Sequence, residues 1–203
     1  MIRWLLDYLA TKLGDTTVIA RRIKENTNKL LVPDGIDPEA LLWAVYYCER
    51  YTKYNKEPRF EAAYAPGGLY YKNSEHVRRE YEEWGSQACC SYSNFQILYI
   101  TAVELGYTGP PLGLDADRIA LPYVVKYIND RCFAKPGQET VEHVADAYNS
   151  GNHLDRFKPL KYIARFRRFY DRELKRLEKE RAGTIRPING STTPESSGPD
   201  GSE

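Results

Sequence analysis

No apolar run in the 203-residue sequence approaches the roughly 20 residues that a membrane-spanning helix needs, so no membrane span is expected. An excess of either charge is lacking too. The 29 Lys and Arg stand against 28 Asp and Glu, and a net charge of +1 gives no general reason to expect nucleic acid as a partner. Histidine and cysteine are scarce. His76, His143 and His153 are set apart from Cys48, Cys89, Cys90 and Cys132, and no Cys-x-x-Cys spacing occurs. Neither a metal centre nor a cofactor is expected, and the cysteines read as buried free thiols. A disulfide from Cys89 or Cys90 to a distant partner stays open for an oxidising compartment. Charge breaks the opening Met1-Ile2-Arg3-Trp4-Leu5-Leu6-Asp7 too early for a secretory signal. The chain as written is therefore expected to be made in the cytoplasm without an export route of its own. Strand-like alternation and internal repeats are also missing, which leaves a mainly α class.

What is present is helical patterning with a local charge asymmetry. Residues 1–32 read as an N-terminal helical extension, with Thr16-Thr17-Val18-Ile19-Ala20 leading into the basic Arg21-Arg22-Ile23-Lys24. A main domain spans 33–181, and residues 182–203, rich in Gly, Ser, Thr and Pro, are expected to form a disordered tail. Inside the main domain a turn at Val32-Pro33-Asp34-Gly35 precedes a helix ending at Glu49. Residues 51–73 show no period and read as a long ordered loop, which in compact domains is usually functional. Helices are expected over 74–84 with Ser74 as cap, over 91–106 with Gly106 as stop, over 115–130 with Pro122 kinking it or shifting its start, and over 138–148. A last helix over 157–181 carries the apolar stripe Phe157, Leu160, Ile163, Phe166, Phe169, Leu174 and Leu177. Between Arg156 and Arg181 eleven Lys and Arg outnumber four Asp and Glu, so the remainder of the chain is acidic. Such a face suits anionic wall polymers, nucleic acid or membrane lipid, and equally the solvated outside of a core-packed helix.

One carboxylate is unusually placed. Leu41-Leu42-Trp43-Ala44-Val45-Tyr46-Tyr47-Cys48 runs directly into Glu49, after an N-cap at Asp37 and a first helical residue at Pro38. An apolar helix belongs in a core, where an ionised carboxyl is costly. Glu49 also lies in the last turn, where the helix dipole disfavours its charged form. A glutamate held at a cleft wall with its pKa pushed upward has what a general acid needs; a solvent-facing helix end is the other reading.

Three segments then follow in order. Glu49 is followed by Arg59-Phe60-Glu61; next comes Ser91-Tyr92-Ser93-Asn94-Phe95-Gln96-Ile97; last comes Ala147-Tyr148-Asn149-Ser150-Gly151. This order and spacing, over roughly residues 36–170, resembles the transglycosylase SLT domain of the lysozyme-like superfamily, particularly its phage-type members. There a helix ends in the catalytic Glu, followed by R-F-E, S-x-G-L-M-Q and A-Y-N-x-G. The chain departs from the pattern at Ser93, where the family has glycine, and at Asn94-Phe95 in place of Leu-Met.

The resemblance implies a lysozyme-like fold and a peptidoglycan lytic transglycosylase that cleaves the MurNAc-β-1,4-GlcNAc bond with formation of 1,6-anhydro-MurNAc. Glu49 is then the single acid/base, with the substrate's 2-acetamido group in place of a protein nucleophile. Glu61, Ser91, Gln96 and Asn149 become substrate-cleft residues, and Tyr148 also orients the acid. Other readings stand beside these. Glu61 suits a base in a muramidase-type hydrolase or a loop carboxylate paired with Arg59. Ser93-x-x-Gln96 fits a helix capping box, and Asn149 with Gly151 fits a helix C-terminus. A catalytically weak, wall-binding structural component of a phage particle is the alternative from another class. The implied partners are peptidoglycan glycan strands, reached at the wall as part of a phage particle, a secretion apparatus or a lysis system. The seventeen tyrosines, among them Tyr64, Tyr70 and Tyr71, supply aromatic faces suited to sugar rings or to half-buried packing.

Overall fold

A computed structural model describes residues 16–50, 58–133, 140–150 and 160–183. Among these residues the chain is mainly helical, with eight α-helices and one small antiparallel sheet. Helix α1 (Thr16–Thr27) places Ile19, Ala20 and Ile23 in the same core as α2 (Pro38–Glu49). The segment joining them is tied down by Asn129, whose side chain accepts from the Leu31 N–H at 2.8 Å and donates to the Lys29 carbonyl at 2.9 Å.

Helix α2 starts as its sequence dictates. Asp37 is an extended N-cap whose carboxylate accepts from the Ala40 N–H at 2.8 Å, and Pro38 follows it. Being apolar on every side, α2 is stable only if enclosed. Every residue from Ala40 to Tyr46 is buried, with Cys48 and Glu49.

Helices α3 (Leu69–Asn73) and α4 (Glu75–Trp84) follow, with the Ser74 hydroxyl accepting from the Val77 N–H as the cap of α4. Next come α5 (Tyr99–Glu104), α6 (Asp117–Tyr127), α7 (Val141–Ser150) and α8 (Leu160–Arg181). Pro122 sits inside α6, but on its exposed side, where water can satisfy the carbonyl that loses its amide partner. A wider π-type turn at Ile128–Cys132 then ends that helical run.

Helix α8 runs antiparallel along α2 and fixes both its ends. Tyr162 meets Glu49 at one end; at the other, Arg181 binds the Asp37 carboxylate at 2.6 Å and the Tyr170 hydroxyl accepts from the Asp37 N–H at 2.8 Å. Between them the buried Glu173 accepts from Arg172 at 2.9 Å and Arg176 at 2.6 Å. Those guanidinium groups lie over the Tyr47 and Trp43 rings, at 4.2 and 5.7 Å from the ring centroids. A buried carboxylate is tolerated here because two cations satisfy it. Of the expected apolar stripe, Phe166, Phe169 and Leu177 are buried and Ile163 and Leu174 pack at the core edge. The Phe157 and Leu160 side chains, residues 1–15 and the tail from 184 lie outside the described residues.

The sheet corrects two expectations. Strands β1 (Arg59–Phe60), β2 (Cys90–Tyr92) and β3 (Ile97–Leu98) form an antiparallel sheet in that order, pairing Arg59 with Ser91, Ser91 with Leu98 and Tyr92 with Ile97. The helix expected over 91–106 is therefore a hairpin followed by the short α5. Ser93 and Gln96 have φ of 67° and 51°, values a right-handed helix does not admit. For the same reason Ser93 and Gln96 do not act as a helix capping box. Gly106, at φ 97°, does end α5. The expected long loop is also partly regular: residues 58–73 hold β1, a 3₁₀ turn at Ala62–Tyr64 and α3, while 51–57 lie outside the described residues.

Candidate active site

Glu49 is the last residue of α2 and is only 7% exposed. Burial raises its pKa above the ordinary 4.5. A hydrogen bond from Tyr162 opposes the rise, as do the positive charges of Arg59 and Arg165, while the Glu61 carboxylate adds to it. The Tyr162 hydroxyl donates to Glu49 Oε1 at 2.7 Å, and both groups are buried. Burial thus favours the acid form of Glu49, and Tyr162 is a neutral donor able to hold the carboxylate when it forms.

An open cleft of ≈ 250 Å³ is lined by several residues that interact with this acid. Glu61, Ser91, Gln96, Tyr148 and Asn149 all line it, together with Arg59 and the Tyr64 and Tyr70 rings. Glu49 itself does not line it, but interacts electrostatically with Arg59, Glu61 and Tyr148, which do. Glu61 follows β1, and its N–H bonds to the Cys89 carbonyl at 2.8 Å. Its carboxylate is paired with Arg59 at 2.6 Å and accepts from the Ser91 hydroxyl at 3.4 Å. The pairing of Arg59 with Ser91 across β1 and β2 brings these three groups together. Tyr64 and Tyr70 stack with centroids 4.6 Å apart, giving the cleft one aromatic wall.

The turn between β2 and β3 contributes Gln96 to the lining. Asp117, in the first turn of α6, accepts from the Asn94 backbone N–H at 3.1 Å and the Asn94 side chain at 2.7 Å. The Ser93 hydroxyl accepts from the Phe95 N–H at 3.1 Å, and Gln96 Nε2 donates to the Ser93 carbonyl at 2.9 Å. Phe95 is fully enclosed and anchors the turn. The left-handed φ of Ser93 is the conformation that glycine adopts without strain, which is the residue the resembled pattern has there. Gln96 is held in the wall at 7% exposure, and its Oε1 is buried without a hydrogen-bond partner among the described residues.

Tyr148 sits on α7 beside the acid but does not orient it. Its hydroxyl donates to the Phe95 carbonyl at 2.7 Å, so it braces the turn instead. The hydroxyl on Glu49 Oε1 belongs to Tyr162. Burial first, and then the neighbouring Glu49 carboxylate, raise the pKa of Tyr148 well above 10.0, so it stays a neutral donor. Asn149 is exposed at the cleft mouth. Sequence reasoning missed Tyr162 and Asp117. Neither carries a local signal: one lies on a core stripe of α8, the other at a helix start beyond a Pro-rich turn.

Cys48, Cys89, Cys90 and Cys132 are free thiols. Among the described residues no group of three or more His, Cys, Asp or Glu is placed to hold a metal ion, and no helix is long and apolar enough to cross a membrane. No family model matches the chain, and no curated protein or solved structure matches it.

Proposed function

We propose that the chain is a lysozyme-like peptidoglycan lytic transglycosylase acting on the MurNAc-β-1,4-GlcNAc bond, with Glu49 as its acid/base. One observation carries the reading: segments far apart in sequence meet around one cleft, and a buried carboxyl whose pKa burial raises interacts with Arg59, Glu61 and Tyr148 of its lining. The acid form of Glu49 donates its proton to the leaving glycosidic oxygen while the substrate's own acetamido oxygen stabilises the sugar cation. The resulting carboxylate then takes the proton of the 6-hydroxyl of MurNAc, whose oxygen closes the anhydro ring. The proton count balances, and no water is consumed. With Tyr162 donating to Oε1, the proton of the acid form belongs on Oε2. Gln96 lines the cleft, and a turn of its side chain that brings the buried Oε1 to an acetamido N–H would satisfy an acceptor whose unpaired burial costs about 1–3 kcal/mol. Tyr64 and Tyr70 offer ring faces to the sugars.

Non-hydrolytic cleavage is favoured over a muramidase reaction because Glu61, the second carboxylate, is tied to Arg59 at 2.6 Å. Delivery to the wall would be as part of a phage particle, a secretion apparatus or a lysis system. A second reading, a wall-binding component without turnover, draws on the fact that Glu49 does not line the cleft. Purified sacculi separate the readings. The native chain should release soluble fragments one water lighter than hydrolysed ones, and Glu49→Gln should release none. Hydrolysed ends would turn the reading to a muramidase, and sacculus binding without release would turn it to the structural component.

A further inference from the structure

Helix α8 carries a second organised feature, of which only Arg165 also acts on the buried acid. Lys161, Arg165, Arg168, Arg172, Lys175 and Lys179 follow one another at intervals of four, three, four, three and four residues, the spacing that keeps side chains on one face of a helix. At the α-helical rise the row is about 27 Å long, with a cation about every 5 Å. Five of the six are exposed and Arg165 is half-buried. Arg172 pairs with Glu173 at 2.9 Å, whereas Lys161, Arg168, Lys175 and Lys179 have no ion pair among the described residues. Of the four carboxylates on α8, Glu173 is turned into the core, Glu180 is paired with Arg176, Asp171 is paired with Arg167 at 2.8 Å, and the exposed Glu178 lies outside the four-three spacing of the row.

We propose that this row is a docking surface for a linear phosphodiester polymer without bases, of the poly(polyol phosphate) kind carried by bacterial walls. The choice of a wall polymer rests on the wall-cleaving reading; the charge geometry does not. A single file of cations on a rigid helix matches a strand of anions in one dimension. Two other polyanionic partners fit less well. A nucleic acid strand would look for aromatic platforms between the cations, and no exposed residue of α8 is aromatic. A membrane would be gripped by an apolar helix face, but the apolar face of α8, with Tyr162, Phe166, Phe169 and Leu177, is already buried in the core. The row starts beside Tyr162, on the acid's side of the molecule, and ends beside the start of α2. A bound strand would hold the protein on the wall while leaving the cleft open.

The test is titration of labelled poly(glycerol phosphate) with the full chain by fluorescence anisotropy over a range of salt. Binding should weaken with a log–log salt slope of about −3 to −4, the value for four to six neutralised phosphates on a single strand. Arg168→Glu with Lys175→Glu should weaken binding by at least about tenfold and flatten the slope by about 1.4. Arg21→Glu with Lys24→Glu changes net charge equally on α1 and should leave binding near native. Equal loss in both double variants, with circular dichroism showing both folded, overturns the proposal. So does tighter binding to a single-stranded oligonucleotide or to phosphatidylglycerol vesicles than to the polymer. Glu49→Gln should bind the polymer as the native chain does, so failure of catalysis and failure of docking are read separately.

Discussion

Replacing Tyr162 with phenylalanine deletes one oxygen and leaves its ring against Phe166, with centroids 6.1 Å apart in the native chain. That oxygen donates to Glu49 Oε1 at 2.7 Å with both residues buried. A hydrogen bond to a charged group is worth about 1.5–3 kcal/mol, more than one between neutral groups. The bond therefore favours the carboxylate over the acid and partly offsets the burial that raises the Glu49 pKa. Without it the pKa rises further. Two consequences follow for release of soluble fragments from sacculi. The acid step, in which Glu49 gives up its proton and becomes the carboxylate, slows by about ten- to hundredfold, since each 1.36 kcal/mol is tenfold in rate. The alkaline limb of the pH–rate profile, where the acid form is lost, moves to higher pH because the proton is held more tightly. A purely structural role for Tyr162 would lower the rate equally at every pH. A Tyr162→Phe profile with an unmoved alkaline limb, or a rate equal to native, refutes the assignment of Tyr162 to the acid.

Glu49→Gln tests the buried acid without any substrate. Because the folded-state pKa lies above the ordinary 4.5, the folded chain binds the extra proton between the two values, and stability is lost as pH rises through that window. The variant should melt above native at alkaline pH and equal it below 4.5. A lower melting temperature at alkaline pH would show that the carboxylate is well paired. At Ser93, glycine removes a left-handed backbone cost of about 1–2 kcal/mol but loses the bond to the Phe95 N–H, worth about 0.5–1.5 kcal/mol, so Ser93→Gly should be near neutral in denaturant midpoint. Ser93→Ala keeps the cost, loses the bond, and should be destabilised by about 1 kcal/mol; an alanine variant as stable as the glycine one would refute a strained turn. Burial pushes the Cys48 thiol up to about 12 and Cys89 to about 11, and raises Cys132 beyond both. Alkylation of the native chain at neutral pH should therefore modify the half-buried Cys90 first, with the other three reacting only after unfolding. Prompt labelling of Cys48 or Cys132, read by peptide mass, would contradict the packing of α2 or of the π-type turn after α6.

The parts of the site legible in the sequence were those whose cause is local. Asp37-Pro38 and the apolar run set α2 and bury Glu49, because a cap, a first-turn proline and an all-apolar helix each act within a few residues. The hairpin was not legible. Ser93 and Gln96 sit three residues apart, a spacing that serves a helix start or a tight turn equally, and the choice is made by Asp117, 23 residues on, which bonds Asn94 twice. Strands of two or three residues are also too short to show a period of two.

Tyr162 illustrates a different limit. On α8 it occupies a buried stripe position where phenylalanine would pack as well, so nothing nearby distinguishes its hydroxyl as functional. Its partner lies 113 residues earlier, and only the antiparallel seating of α8 on α2 brings the two together. That seating is itself over-determined, by Arg181 and Tyr170 at Asp37 and by Arg172 and Arg176 over the Tyr47 and Trp43 rings. The helix that carries the acid is thus held at both ends by one other helix. The protonation state of Glu49 and the alignment of the outward cations on α8 accordingly depend on the same packing, so a substitution that loosens the α2–α8 seam should disturb both while leaving the Arg59–Ser91–Glu61 side of the cleft in place.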